Sequence, residues 1–181
     1  MKYKNVKKKW CNCQRCSLKH KRRNVVLVRG DLPCEILFIG EAPGFEEDTV
    51  GYPFVGPAGH LLDMIVETAF EEFEQKPRIA FTNIISCIPL REEERKKIEE
   101  PELSWVENCR ERFLDVFNLC KPKKIVTVGK FAENNLPAKL ITNHKLEKEN
   151  INHPAYILRL SSQQKNYAIL RNIEILKNFV N

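Results

Sequence analysis

Three short apolar runs, at residues 35–39, 79–85 and 123–128, each lead through a polar stretch into a helical pattern. Leu61, Leu62, Ile65, Val66, Ala69 and Phe70 form one such apolar face, and Val106, Cys109, Phe113, Val116, Phe117 and Cys120 form another. Strands that alternate with helices pair in parallel, because each crossover helix returns the chain to the same end of the sheet. The expected fold is α/β, with helices on both faces of a parallel sheet. A short fourth strand is expected around residues 140–142, and an amphipathic helix over 167–180 closes the chain. Residues 1–23 read as an irregular basic arm, and 91–102 as a charged connection, either helical or mobile.

The first run ends in an unusual loop. Residues 40–56 hold two prolines, four glycines and four carboxylates, too little apolar surface for a core element. A loop leaving the carboxyl end of a parallel strand stands where open α/β sheets bind ligands. The second run delivers Asn83 and Cys87 to the same edge.

The length of 181 residues fits one domain, expected to span the whole chain. With 43% hydrophobic and 30% charged residues and no apolar run near ~18 residues, a membrane span is excluded and a cytoplasmic protein expected. The net charge of +6 is modest, but residues 2–29 are dense in Lys and Arg and hold no Asp or Glu, a patch suited to a polyanion such as nucleic acid. Seven cysteines without a secretory signal argue for metal binding or plain burial rather than a disulfide framework. Cys34 and Cys120 read as buried apolar residues.

Four features occur in order: Cys13-x-x-Cys16 followed by Ser17-Leu18, Gly40-Glu41-Ala42-Pro43-Gly44 running to Phe54-Val55-Gly56, Thr82-Asn83 leading to Cys87, and His153-Pro154-Ala155. The ordered set resembles the uracil-DNA glycosylase superfamily, and most closely its type-4 branch, which carries an iron–sulfur cluster. The resemblance implies a three-layer α/β/α sandwich around a four-stranded parallel sheet. It also implies a monofunctional DNA-repair hydrolase that cuts the N-glycosidic bond of uracil, flipped out of single- or double-stranded DNA, to leave an abasic site. Such an enzyme is expected to act as a monomer.

By the same resemblance, His153 donates to uracil O2 as negative charge develops there, and Phe54 stacks on the flipped base. Asn83 offers a donor and an acceptor to the O4 and N3 edge, a pattern that cytosine reverses. Backbone groups of Gly40, Glu41 and Ala42 complete the pocket. Where a better-studied branch has an aspartate, this chain has Ala42, which leaves Glu41 to position water or stabilise the sugar cation. Glu47 and Asp48 either guard the C5 side of the base or cap the loop. Tyr156, Leu158 and Arg159 look like the DNA-facing loop, with an apolar wedge and a phosphate-binding arginine. Cys13, Cys16, Cys87 and Cys109 are the implied ligands of a [4Fe–4S] cluster, with zinc the competing metal for a four-cysteine set. The segment at 90–97 departs from the type-4 pattern. Two rival functions remain: a non-catalytic, metal-stabilised DNA-binding protein, and a glycosylase for another modified or deaminated base.

Overall fold

The computed structural model describes residues 2–90 and 98–180. Its sheet is built from β1 (Val28–Gly30), β2 (Ile36–Gly40), β3 (Ile79–Asn83), β4 (Lys124–Val128) and β5 (Glu147–Ile151) in the order β1-β3-β2-β4-β5. The four strands from β3 to β5 are parallel, and β1 adds an antiparallel edge through Val28 opposite Thr82. The expected four-stranded parallel sheet is therefore present, with a fifth strand beside it. Val28–Gly30 supplies that edge.

Alternation along β2 builds the two sides of the sheet. Ile36 and Phe38 pack with α3 (Pro57–Ala69), α7 (Pro154–Leu158) and α8 (Ser162–Val180), whereas Leu37 and Ile39 pack with α4 (Leu103–Cys120) and its neighbours. The result is the three-layer arrangement. Between them, α2 (Phe45–Val50), α5 (Lys130–Asn135) and α6 (Ala138–His144) are short helices in connections.

Two expectations need correction. Residues 140–142 lie in helix α6, and the fourth parallel strand is β5, whose sequence Glu-Lys-Glu-Asn-Ile is exposed at its first two residues, half-buried at the next two and buried only at Ile151, because it forms the other edge. An edge strand with one half-open face carries no apolar run for a sequence reading to detect. The basic arm is not irregular: α1 (Tyr3–Trp10) buries Val6 and Trp10 against α4, and a 3-10 turn spans Ser17–His20. Trp10 Nε1 donates to Asp115 at 2.8 Å, and Lys9 pairs with both Glu111 and Asp115. The charged residues 91–97 lie outside the described chain. Among the described residues no helix is long and apolar enough to cross a membrane.

Candidate active site

The carboxyl ends of the four parallel strands open into a cavity of about 940 Å³. Glu41, Ala42, Glu47, Phe54, Asn83, His153, Tyr156 and Arg159 all line it, so the sheet brings together most of the residues singled out in the sequence. Gly40 lies behind this wall. A methyl group placed on it would come within 2.4 Å of both Asn83 Oδ1 and Phe54 Cζ. Glycine at the end of β2 thus lets two pocket side chains converge over the backbone.

Phe54 adopts the left-handed backbone region, φ 56°, which is costly for an aromatic residue. Neighbouring groups hold it there. Arg29 donates from Nε to the Pro53 carbonyl at 2.7 Å and from Nη2 to the Phe54 carbonyl at 3.1 Å, and pairs with Asp63 at 2.6 Å. The same guanidinium lies 4.0 Å over the ring of Phe81, whose centroid is 5.9 Å from that of Phe54. Glu47 fastens the loop from within: its carboxylate accepts from the N–H groups of Gly44, Val55 and Gly56 at 2.9–3.0 Å. Asp48 turns away from the cavity and is buried, accepting from the backbone N–H groups of Arg23 and Asn24.

His153 caps α7, and its Nδ1 accepts the Ala155 N–H at 3.1 Å. With Nδ1 serving as an acceptor, the ring proton of the neutral imidazole belongs on Nε2. Burial, with the charge of Arg159 acting in the same direction against a smaller opposing effect of Glu47, lowers its pKa to about 4. The residue is therefore a neutral donor at physiological pH. Its ring is tilted 34° to that of Phe54, with centroids 6.4 Å apart. Behind it, the buried Asn172 of α8 grips the backbone of Asn152, accepting from its N–H and donating to its carbonyl at 3.0 Å each.

Glu41 is partly buried, and its carboxyl pKa is raised by that burial and by Glu100, which lines the same cavity. The Glu41 carbonyl accepts from Ile85 N–H, and the Gly40 carbonyl from Ile84 N–H, both at 2.9 Å. Those bonds tie the loop to the end of β3. The side-chain amide of Asn83 takes no hydrogen bond from another described residue, which leaves it open to the cavity. On α7, Ile157 is buried, whereas Tyr156, Leu158 and Arg159 are exposed. That leaves Tyr156 and Leu158 as the apolar groups facing outward.

Residues 28–176 match the sequence profile of the Uracil DNA glycosylase superfamily. The chain belongs to this superfamily. It is 30% identical over 180 residues to the type-4 uracil-DNA glycosylase of Thermotoga maritima, spanning 93% of this chain and 89% of that protein. The type-4 uracil-DNA glycosylase of Sulfurisphaera tokodaii is 32% identical over 138 residues, which is 76% of this chain but 59% of that protein, so the chain spans less than two thirds of that relative. A solution NMR structure of a candidate uracil DNA glycosylase from Methanosarcina acetivorans superposes with a TM-score of 0.53 at 16% identity, covering 86% of this chain and 100% of that one. The likeness in that case is one of fold.

In this superfamily member the four singled-out cysteines all lie on the α4 side of the sheet. Cys87 and Cys109 are buried, and Cys13 and Cys16 pack against the same core cluster. Burial raises the Cys16 thiol, with Cys109 and Cys13 adding to the shift, and burial pushes Cys87 up to about 12, with Cys109 and Cys16 adding. Each thiol thus stands within electrostatic reach of others in the set. Among the described residues no three His, Cys, Asp or Glu side chains are drawn in to the spacing of a single-ion site. Two buried polar atoms near the cysteines in the sequence, Ser86 Oγ and Arg112 Nε, have no hydrogen-bond partner among the described residues. Cys34 and Cys120 sit elsewhere, buried together, with Cys34 N–H donating to the Cys120 carbonyl at 2.9 Å.

Three supporting residues escaped the sequence reading. Arg29 and Asn172 had no motif to reveal them, since each works through backbone carbonyls or N–H groups. Arg112 left a trace, as a charge on the apolar face that runs from Cys109 to Phe113 of α4.

Proposed function

We propose that this chain removes uracil from DNA by hydrolysing the bond between base and deoxyribose, and that it acts as a monomer. The observation that carries the reading is the arrangement of His153: a neutral imidazole with its Nε2–H free, in one cavity with Asn83 and Phe54. Cleavage leaves negative charge on uracil O2, and a fixed neutral donor there stabilises that charge without reorganising. Asn83 reads the O4 and N3 edge, and Phe54 stacks on the ring, a contact worth roughly 1–3 kcal/mol.

The sugar develops positive charge as the base departs. Glu41 stands at the loop that would border it, and in its ionised form both stabilises the cation and orients the attacking water. Glu47 serves by closing the loop around Phe54, since its carboxylate is committed to three backbone N–H groups. Arg159 and Lys130 supply positive charge at the rim for DNA phosphates, and Tyr156 or Leu158 fills the space vacated by the base.

Cys13, Cys16, Cys87 and Cys109 would hold a [4Fe–4S] cluster, which cross-links the arm, the end of β3 and α4. Hydrolysis moves no electrons, so the role is structural. Four thiolates suit a [4Fe–4S] cluster, and the polar groups Ser86 Oγ and Arg112 Nε, which have no partner among the described residues, would suit its sulfide acceptors.

The test is base release from a panel of oligonucleotides, each with one uracil, cytosine or other deaminated base. Uracil should be released at least about a hundredfold faster than cytosine, with discrimination reduced in Asn83→Ala. Tight DNA binding with no base released would leave a binding protein. Preferential release of another base would reassign the pocket.

A further inference from the structure

Arg112 is the largest fully buried side chain of the described residues, at 2% exposure. It lies three residues after Cys109 on α4, a spacing that puts both on one helical face. Its Nη1 donates to the Asn83 carbonyl at 3.1 Å, and Nη2 donates to the carbonyls of Asn83 (3.1 Å) and Ile84. Among the described residues its Nε–H has no acceptor, and no carboxylate lies within ion-pair distance of it. A guanidinium buried in this way is strongly unfavourable unless a counter-charge faces it. Its place in the chain points to the cysteines: Cys109 stands one turn before it on α4, and the segment it grips runs on to Cys87.

The carbonyls it grips also belong to the pocket. Ile84 N–H donates to Gly40, and Ile85 N–H to Glu41, so the segment held by Arg112 fixes both Asn83 and the start of the 40s loop. We propose that Arg112 is a positioning residue that couples the cysteine site to the base pocket, tying the helix that carries Cys109 to the segment between Asn83 and Cys87 and so holding Asn83 and Glu41 in register. The inference rests on the cluster and base-reading roles proposed above.

The test follows iron loss to a chelator from anaerobically purified, iron-loaded protein, with and without free uracil. Wild type, Arg112→Lys and Arg112→Gln are compared, and uracil binding is measured separately by equilibrium dialysis. Uracil bound to Asn83 steadies the segment that must open for iron to leave, so it should slow loss about fivefold or more in wild type. In Arg112→Gln that protection should vanish and basal loss should rise. Arg112→Lys keeps the cation without the planar fork, so it should retain iron yet show less than about twofold protection. It also carries the comparison if Arg112→Gln fails to fold. Equal protection in all three proteins would overturn the proposal, as would faster loss in the variants with uracil protection intact, the mark of a merely structural residue. A wild type that binds no uracil, or holds no iron, would instead overturn the pocket or the cluster reading, and the coupling with it.

Discussion

With Nδ1 taken by the Ala155 N–H, His153 has one tautomer to offer, and its lowered pKa sets a sign for acid behaviour. The unfolded chain takes up this proton near pH 6.5, while the folded chain resists until about 4, so stability is lost as pH falls through that window. His153→Asn should flatten this part of the stability profile, measured by denaturant midpoint at pH 4.5 and 7. Glu41 has the opposite sense, because its folded pKa is raised by burial and by Glu100. Its ionisation costs stability as pH rises through the raised value. Glu41→Gln should therefore be more stable than wild type at pH 7 while losing uracil release, a trade expected where a site holds a strained charge. An unchanged melting temperature would argue against burial as the dominant cause. Arg29 offers a third residue-scale test. Removing its bonds to the Pro53 and Phe54 carbonyls should let Phe54 leave its left-handed conformation, raising KM for uracil DNA about tenfold.

At the scale of elements, the connection from β5 to α7 depends on α8. Asn172→Leu fills similar space but leaves both backbone groups of Asn152 unpaired, at about 1–3 kcal/mol of stability. The adjoining His153 would lose its placement, and the single-turnover rate should fall about tenfold. The sequence made three of the parallel strands visible because Phe38, Ile39, Phe81, Val126 and their neighbours are buried on both faces. It hid β5, whose residues are half solvated, and α1, whose fully buried residues are just Val6 and Trp10. Of the candidate site, residues that stand in a motif, such as Asn83 and His153, were legible, and the structure places both in one cavity. Arg29, Arg112 and Asn172 act through the main chain, and partners of that kind emerge only when the fold brings the segments together.

Across the whole molecule, the sheet separates two centres. On the α4 side, α1 and the cysteines knit the basic arm to the body, and Asp48 clasps the arm again through Arg23 and Asn24. Removing iron anaerobically should make residues 1–23 sensitive to limited proteolysis before the sheet is cut. Equal resistance with and without iron would show that the α1 packing alone holds the arm. At the strand ends, the pocket draws one wall from each parallel strand, so its chemistry depends on the register of the complete sheet. The most direct measurement is the single-turnover rate of uracil release from a single-uracil oligonucleotide by iron-loaded protein, beside His153→Ala. The account predicts release by wild type and a loss of ~10²–10³ in the variant, with uracil binding weakened far less. Release at an undiminished rate by His153→Ala, or none by the wild type, would contradict it.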